Sequence, residues 1–107
     1  MIEIIFYRKY ARVTAKGHAQ TAEKGKDLVC AGVTTLMYTL AENAQHMANM
    51  GKVRDPVIKL EEGDAEVGVT TRAGYIAMTE LIFQTVCVGF RILAEMYPEA
   101  VHYEVHG

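Results

Sequence analysis

Two side chains in the run GHAQTAEKGKDLVC have the types that nucleophilic catalysis uses: the imidazole of His18 and the thiol of Cys30. A thiolate attacks a carbonyl carbon, and a neighbouring imidazole takes the thiol proton and later gives it to the leaving group. Asp27 lies just ahead of Cys30, and aspartate is a preferred cap for the backbone N–H groups left unpaired in a helix's first turn. With Asp27 as cap, Cys30 would stand in that first turn, where partial positive charge favours an anionic sulfur. At about 100° per residue, Asp27, Cys30 and Thr34 share one flank of the helix, so Asp27 or Thr34 could orient the imidazole or the substrate. Spacing alone does not make a dyad, because the fold brings catalytic pairs together. A helical cysteine acting as a small buried hydrophobe, with a surface histidine, fits the same residues.

The elements that must hold these groups follow from periodicity. Residues 2–7 are rich in β-branched and aromatic types, and a polar RKYAR segment separates them from VTAKG, which predicts a hairpin. A loop over residues 18–26 follows, and then a helix starting near Asp27. Val29, Val33, Leu36, Met37, Leu40, Ala44 and Met47 recur along it at helical spacing, and Met50-Gly51 supplies the stop. VIKLEEGDAEVGVTT predicts a second hairpin turning at Glu62-Gly63-Asp64. Residues 74–97 form a second helix ended by Pro98, and VHYEV a last strand. The order is ββαββαβ: an α+β fold of two helices packed with a mainly antiparallel or mixed sheet. On the second helix, Glu80, Gln84, Arg91 and Glu95 form one narrow polar stripe, so the helix needs burial on more than one side, by the sheet and by a second subunit. Glu80 and Arg91 interrupt its apolar run short of the ~20 residues of a membrane span.

Composition narrows the function classes. The 107 residues suit a single domain, 1–107, and with 50% hydrophobic and 22% charged residues a soluble globular one is expected. A net charge of −2 gives no reason to expect a nucleic-acid partner or an anionic membrane, and nothing calls for a cofactor. MIEIIFYRK lacks the form of a signal peptide, so the expected location is cytoplasmic, with both thiols reduced. Cys87, between Val86 and Val88, reads as an inert core thiol, and His46 as a helix-surface residue. His102, Glu104 and His106 share one face of the last strand; they read as a solvated polar face, with a metal site as the alternative. Glu61, Glu62, Asp64 and Glu66 read as a solvated turn, or as an acidic patch attracting a basic substrate.

The run Gly17-His18-Ala19, a spacer, and then D-L-V-C-A-G-V-T resembles the ribosomal-processing cysteine protease family, Prp. The family pattern is roughly G-H-A, a variable Gly-containing loop, and G-x-D-x-V-C-A-A-V-S. Gly17, His18, Ala19, Gly25, Asp27, Val29, Cys30, Ala31 and Val33 match it, as does the His-to-Cys spacing. Gly32 stands where a second alanine is usual and Thr34 where serine is usual, though Thr34 keeps the hydroxyl. Chain length and element order extend the likeness over the whole sequence, but only this segment is specific. The resemblance implies a dimeric cysteine endopeptidase. Its substrate would be the N-terminal extension of the large-subunit ribosomal protein numbered twenty-seven in the bacterial scheme. Cys30 would be the nucleophile, His18 the general base, and backbone N–H groups at the helix start the oxyanion hole. Gly17, Asp27 and Thr34 would be supporting or substrate-binding residues, and the loop over residues 19–26 a mobile segment above the cleft. A rival reading is a non-catalytic ribosome-associated or assembly module in which Cys30 is structural. A redox-sensing thiol is a third, without an evident resolving partner.

Overall fold

Ile2, Ile4 and Phe6 of β1 (Ile2–Tyr7) are buried, while Glu3 between them is exposed, so alternation along the strand defines an inner and an outer face of the sheet. The same alternation buries Val13 and Ala15 of β2 (Arg12–Lys16), and Val101 at the start of β5 (Val101–His106). On β4 (Asp64–Thr71) it buries Ala65, Val67 and Val69. In the computed structural model, which describes residues 1–19 and 23–107, with residues 23–27 as backbone, these strands and β3 (Val53–Glu61) form one five-stranded sheet in the order β3-β4-β2-β1-β5. β1 and β5 run parallel, with Ile2 opposite Val101, and every other pair is antiparallel. The sheet is therefore mixed and the element order is ββαββαβ, the α+β arrangement expected from periodicity.

Two departures from the expected boundaries have local causes. β3 begins at Val53 instead of near Val57, because a bulge at Asp55 (φ 48°) absorbs Pro56 and shifts the register between Arg54 and Val57. A proline has no N–H to donate, and an edge strand such as β3 tolerates it where pairing is already broken. The first helix, α1 (Glu23–Asn49), begins before Asp27 instead of at it. Glu and Lys at residues 23, 24 and 26 favour the helix, and the roughly 1 kcal/mol cost of Gly25 does not break it. At its far end Gly51 takes φ 73° while the N–H groups of Gly51 and Lys52 donate to the carbonyls of Ala48 and Met47, which closes the helix where the sequence places its stop.

α1 buries Val29, Val33, Met37, Leu40, Ala44 and Met47 and packs on β3 and β4. α2 (Ile76–Met96) buries Thr79, Phe83, Val86, Cys87 and Phe90 and packs on β5, with the Phe83 ring stacked 6.2 Å from that of Phe6. α2 is long and apolar enough by composition to cross a membrane, but this buried face belongs to the core. Opposite it, Leu81, Val88 and Ile92 form an exposed apolar stripe.

Candidate active site

β2 ends at Lys16, and the next residue aims the chain. Gly17 adopts φ 100°, and the Met1 carbonyl oxygen occupies the space a β-carbon would need, so only glycine fits. The Gly17 N–H donates to the Gly63 carbonyl at 3.0 Å, which carries the β2–β4 pairing one step further, onto the tip of the β3–β4 hairpin. The following residue, His18, therefore lies over that tip. A β-carbon built on Gly63 would stand 2.6 Å from both Cε1 and Nε2 of the His18 ring.

Cys30 arrives from the other side. It sits about two turns into α1, half-buried against the core. His18 and Cys30 line one cleft of about 320 Å³ between α1 and the hairpin tip. Thr34, Met37 and Tyr38 continue the α1 wall, Leu60, Glu61 and Glu62 form the opposite one, and Ile2 and Ala15 lie beneath. A half-exposed thiol and an exposed imidazole on one open cleft can act on a segment of extended chain lying between the walls.

Four expectations change with the helix start. Asp27 is inside α1, one turn ahead of Cys30, and so does not cap the helix. Cys30 lies beyond the first turn, where the charge of the unpaired N–H groups has fallen off. Its own N–H is an interior helical one, paired one turn back, so the helix start does not supply an oxyanion hole at the sulfur. The loop over residues 19–26 is also shorter: Ala19 is buried, residues 23–26 are helical, and residues 20–22 lie outside the described residues.

The sequence model of the family described as cysteine protease Prp matches residues 1–102. The chain belongs to that family. No curated protein matches it closely enough to count as a relative. In backbone it is similar to the essential ribosomal processing protease Prp from S. aureus solved with a substrate peptide, at 21% identity and TM-score 0.67, over 97% of this chain and 96% of that one. The same S. aureus protein with a covalently linked product peptide gives 22% identity and TM-score 0.68 over the same shares. SMU.848 from Streptococcus mutans gives 23% and 0.66, over 98% of this chain and 91% of that one. At these identities the likeness is one of fold.

For this Prp-family cysteine protease, the cleft contains residues that sequence reasoning missed. Tyr38 follows Cys30 and Thr34 at helical spacing, so periodicity could have put it on the cleft side of α1. Gly63 was legible as a turn residue, but nothing in the sequence pairs it with His18. The acidic hairpin resolves into separate roles. Asp64 lines the cleft rim bonded to Lys59 at 2.6 Å, and that hydrogen bond holds its carboxyl below the usual range and the ammonium above it. Glu61 stands 3.7 Å from the same ammonium, while Glu66 pairs with Arg12.

The remaining candidates lie away from the cleft. Cys87 is 3% exposed; burial pushes its thiol from 9.0 up to about 11, against the opposing pull of a hydrogen bond with the Tyr103 hydroxyl. On β5, the carboxylate of Glu104 bonds Nε2 of His102 at 2.7 Å and Nε2 of His106 at 2.8 Å, and these bonds hold it below the usual carboxylate range. Among the described residues, no three His, Cys, Asp or Glu side chains are arranged to hold a metal ion. His46 is exposed near the end of α1.

Proposed function

We propose that this cysteine protease is a cytoplasmic endopeptidase of ribosome maturation. Its substrate is the N-terminal extension of the large-subunit ribosomal protein numbered twenty-seven, cut by a Cys30–His18 dyad. The observation that carries the reading is that His18 from the end of β2 and Cys30 from α1 line one open cleft. Both are the residues that match the family motif. The S. aureus relative is itself described as a ribosomal processing protease and was solved with a substrate peptide, which supports a peptide in the corresponding cleft here.

In the reaction, His18 takes the Cys30 proton and the sulfur attacks the scissile carbonyl. The tetrahedral intermediate collapses, the C–N bond breaks, and His18 returns the proton to the leaving amine. Water, deprotonated by the same imidazole, then hydrolyses the thioester and releases Cys30. No third member is needed. Gly17 holds the turn that brings His18 over the hairpin tip. Thr34, one turn beyond Cys30, offers its hydroxyl to the substrate backbone, and Asp27 supports α1 one turn before the nucleophile. With the N–H of Cys30 paired inside the helix, donors to the oxyanion come from elsewhere on the cleft. The protein works as a homodimer, and the exposed Leu81, Val88 and Ile92 stripe of α2 is the surface the partner covers.

The test is cleavage of a peptide spanning the extension and the mature start, with mass spectrometry to locate the cut. The parent protein should cut one bond, and folded Cys30→Ala and His18→Ala should not. Full activity in either folded variant would remove the dyad.

A further inference from the structure

We infer that Gly63 is a positioning residue for the reaction, acting through His18, and that the hairpin tip is the seat on which the catalytic imidazole rests. This rests on the reading of His18 as general base. The β3–β4 connection is Glu62-Gly63, with Gly63 at φ 74°. A turn with one left-handed residue at its second position accepts asparagine as well as glycine. Turn geometry therefore does not by itself demand glycine here.

The imidazole does. A β-carbon on residue 63 would lie 2.6 Å from Cε1 and Nε2, well inside van der Waals contact, so any side chain there must displace the ring. The ring cannot follow by a shift of its own backbone at low cost. The preceding Gly17 is bonded to the Gly63 carbonyl at 3.0 Å and pressed against the Met1 carbonyl, and the next residue, Ala19, is 4% exposed in the core. The seat also fixes which edge of the ring is covered: Nε2 and Cε1 face the hairpin. The ring's position over Gly63 therefore sets how it is presented to the cleft that Cys30 also lines. A displacement of about 1 Å is enough to cost up to roughly 100-fold in rate.

The experiment compares Gly63→Ala with Gly51→Ala. Gly51 has nearly the same strained backbone, φ 73°, but no atom within 4 Å of a built β-carbon, so it reports backbone cost alone. Two readouts are taken: the Hε1 resonance of the His18 ring through a pH titration by NMR, and kcat, KM and the pH profile on the extension peptide. We expect Gly63→Ala to move the His18 Hε1 resonance, because the β-carbon displaces the ring. The pH profile of kcat/KM should differ from that of Gly51→Ala, and kcat should fall roughly 10- to 100-fold with KM within about twofold. Gly51→Ala should leave all of these at parent values. If the alanine variant does not fold, Gly63→Asn, which tolerates the left-handed backbone and carries the same β-carbon, takes its place. A His18 resonance and pH profile in the position-63 variant that match those of Gly51→Ala overturn the inference. Loss of the dyad reading shows separately, as cleavage that survives His18→Ala, while the resonance still reports whether residue 63 seats the ring.

Discussion

Leu36 of α1 sits directly over Gly89 of α2: a β-carbon built on Gly89 would stand 2.6 Å from its Cδ2 and 2.8 Å from its Cδ1. The reciprocal contact is looser, with Leu93 of α2 at 3.1 Å from a β-carbon built on Gly32 of α1. Two glycines thus let the helices approach, each receiving a leucine from the other. Alanine in place of a helical glycine gains up to about 1 kcal/mol of propensity, whereas overpacking costs typically 1–3 kcal/mol. At Gly89 the clash wins. Gly89→Ala should lower stability by about 1 kcal/mol, a fall of roughly 4–8 °C in Tm for a chain of this size. Gly32→Ala needs Leu93 to yield only a few tenths of an ångström, and should leave Tm unchanged or raise it. Calorimetry on the two variants checks the difference, and equal shifts would count against this packing account.

The two thiols should separate in a labelling experiment. Cys30 is half-buried on an open cleft, whereas Cys87 is 3% exposed and its thiol is pushed up to about 11. Because the thiolate is the reactive form, iodoacetamide at neutral pH should modify Cys30 and spare Cys87 until denaturant is added. Peptide mapping by mass spectrometry reads this directly. Equal modification in the native protein would mean that the core around α2 opens readily.

Cys87 and Tyr103 together predict an alkaline limit to stability. Burial lifts the Cys87 thiol from 9.0 to about 11, and lifts the Tyr103 phenol from 10.0 to well above its ordinary range. Both are acids held protonated by the fold, so between these values the unfolded chain loses protons that the native one keeps. The thiol's stabilisation, roughly 2–3 kcal/mol, is complete below pH 9 and is lost as pH rises toward 11, whereas the phenol's is complete below pH 10 and falls away as pH rises beyond it. Urea midpoints should decline over that window, and Tyr103→Phe, which keeps the ring and removes the titrating hydroxyl, should make the decline shallower. A decline as steep as the parent's would show that Tyr103 contributes nothing to it.

Val88 and Ile92 are 45% and 43% exposed on the outer side of α2, so a charge there costs the monomer's fold little. It would be costly inside an apolar interface. The double variant Val88→Glu/Ile92→Glu should sediment at the 11.9 kDa of one chain while keeping the parent's circular dichroism, and the parent should sediment at twice that mass. A dimer that survives both charges has its interface on another face.

Both helices, both hairpins and the last strand were legible in the sequence, and His18 and Cys30 stood out there as side chains of the types nucleophilic catalysis uses. Hydrophobic period is a local property: Ile2, Ile4 and Phe6 alternate because a strand alternates, and Val29, Val33 and Met37 recur because a helix turns. The polar stripe from Glu80 to Glu95 likewise announced an α2 with apolar surface on both sides. Helix starts were less legible. Asp27 has the right chemistry for a cap, but competing helix formers upstream extended α1 to Glu23 and carried Cys30 away from the first turn. Only the tertiary structure decided what depends on elements distant in the chain meeting. It set the strand order β3-β4-β2-β1-β5, the cleft shared by His18 and Cys30, and the contact of His18 with Gly63 across 45 positions of sequence. Those relations depend on which surfaces close-pack, and a residue's own type does not record which neighbour will fill the space beside it.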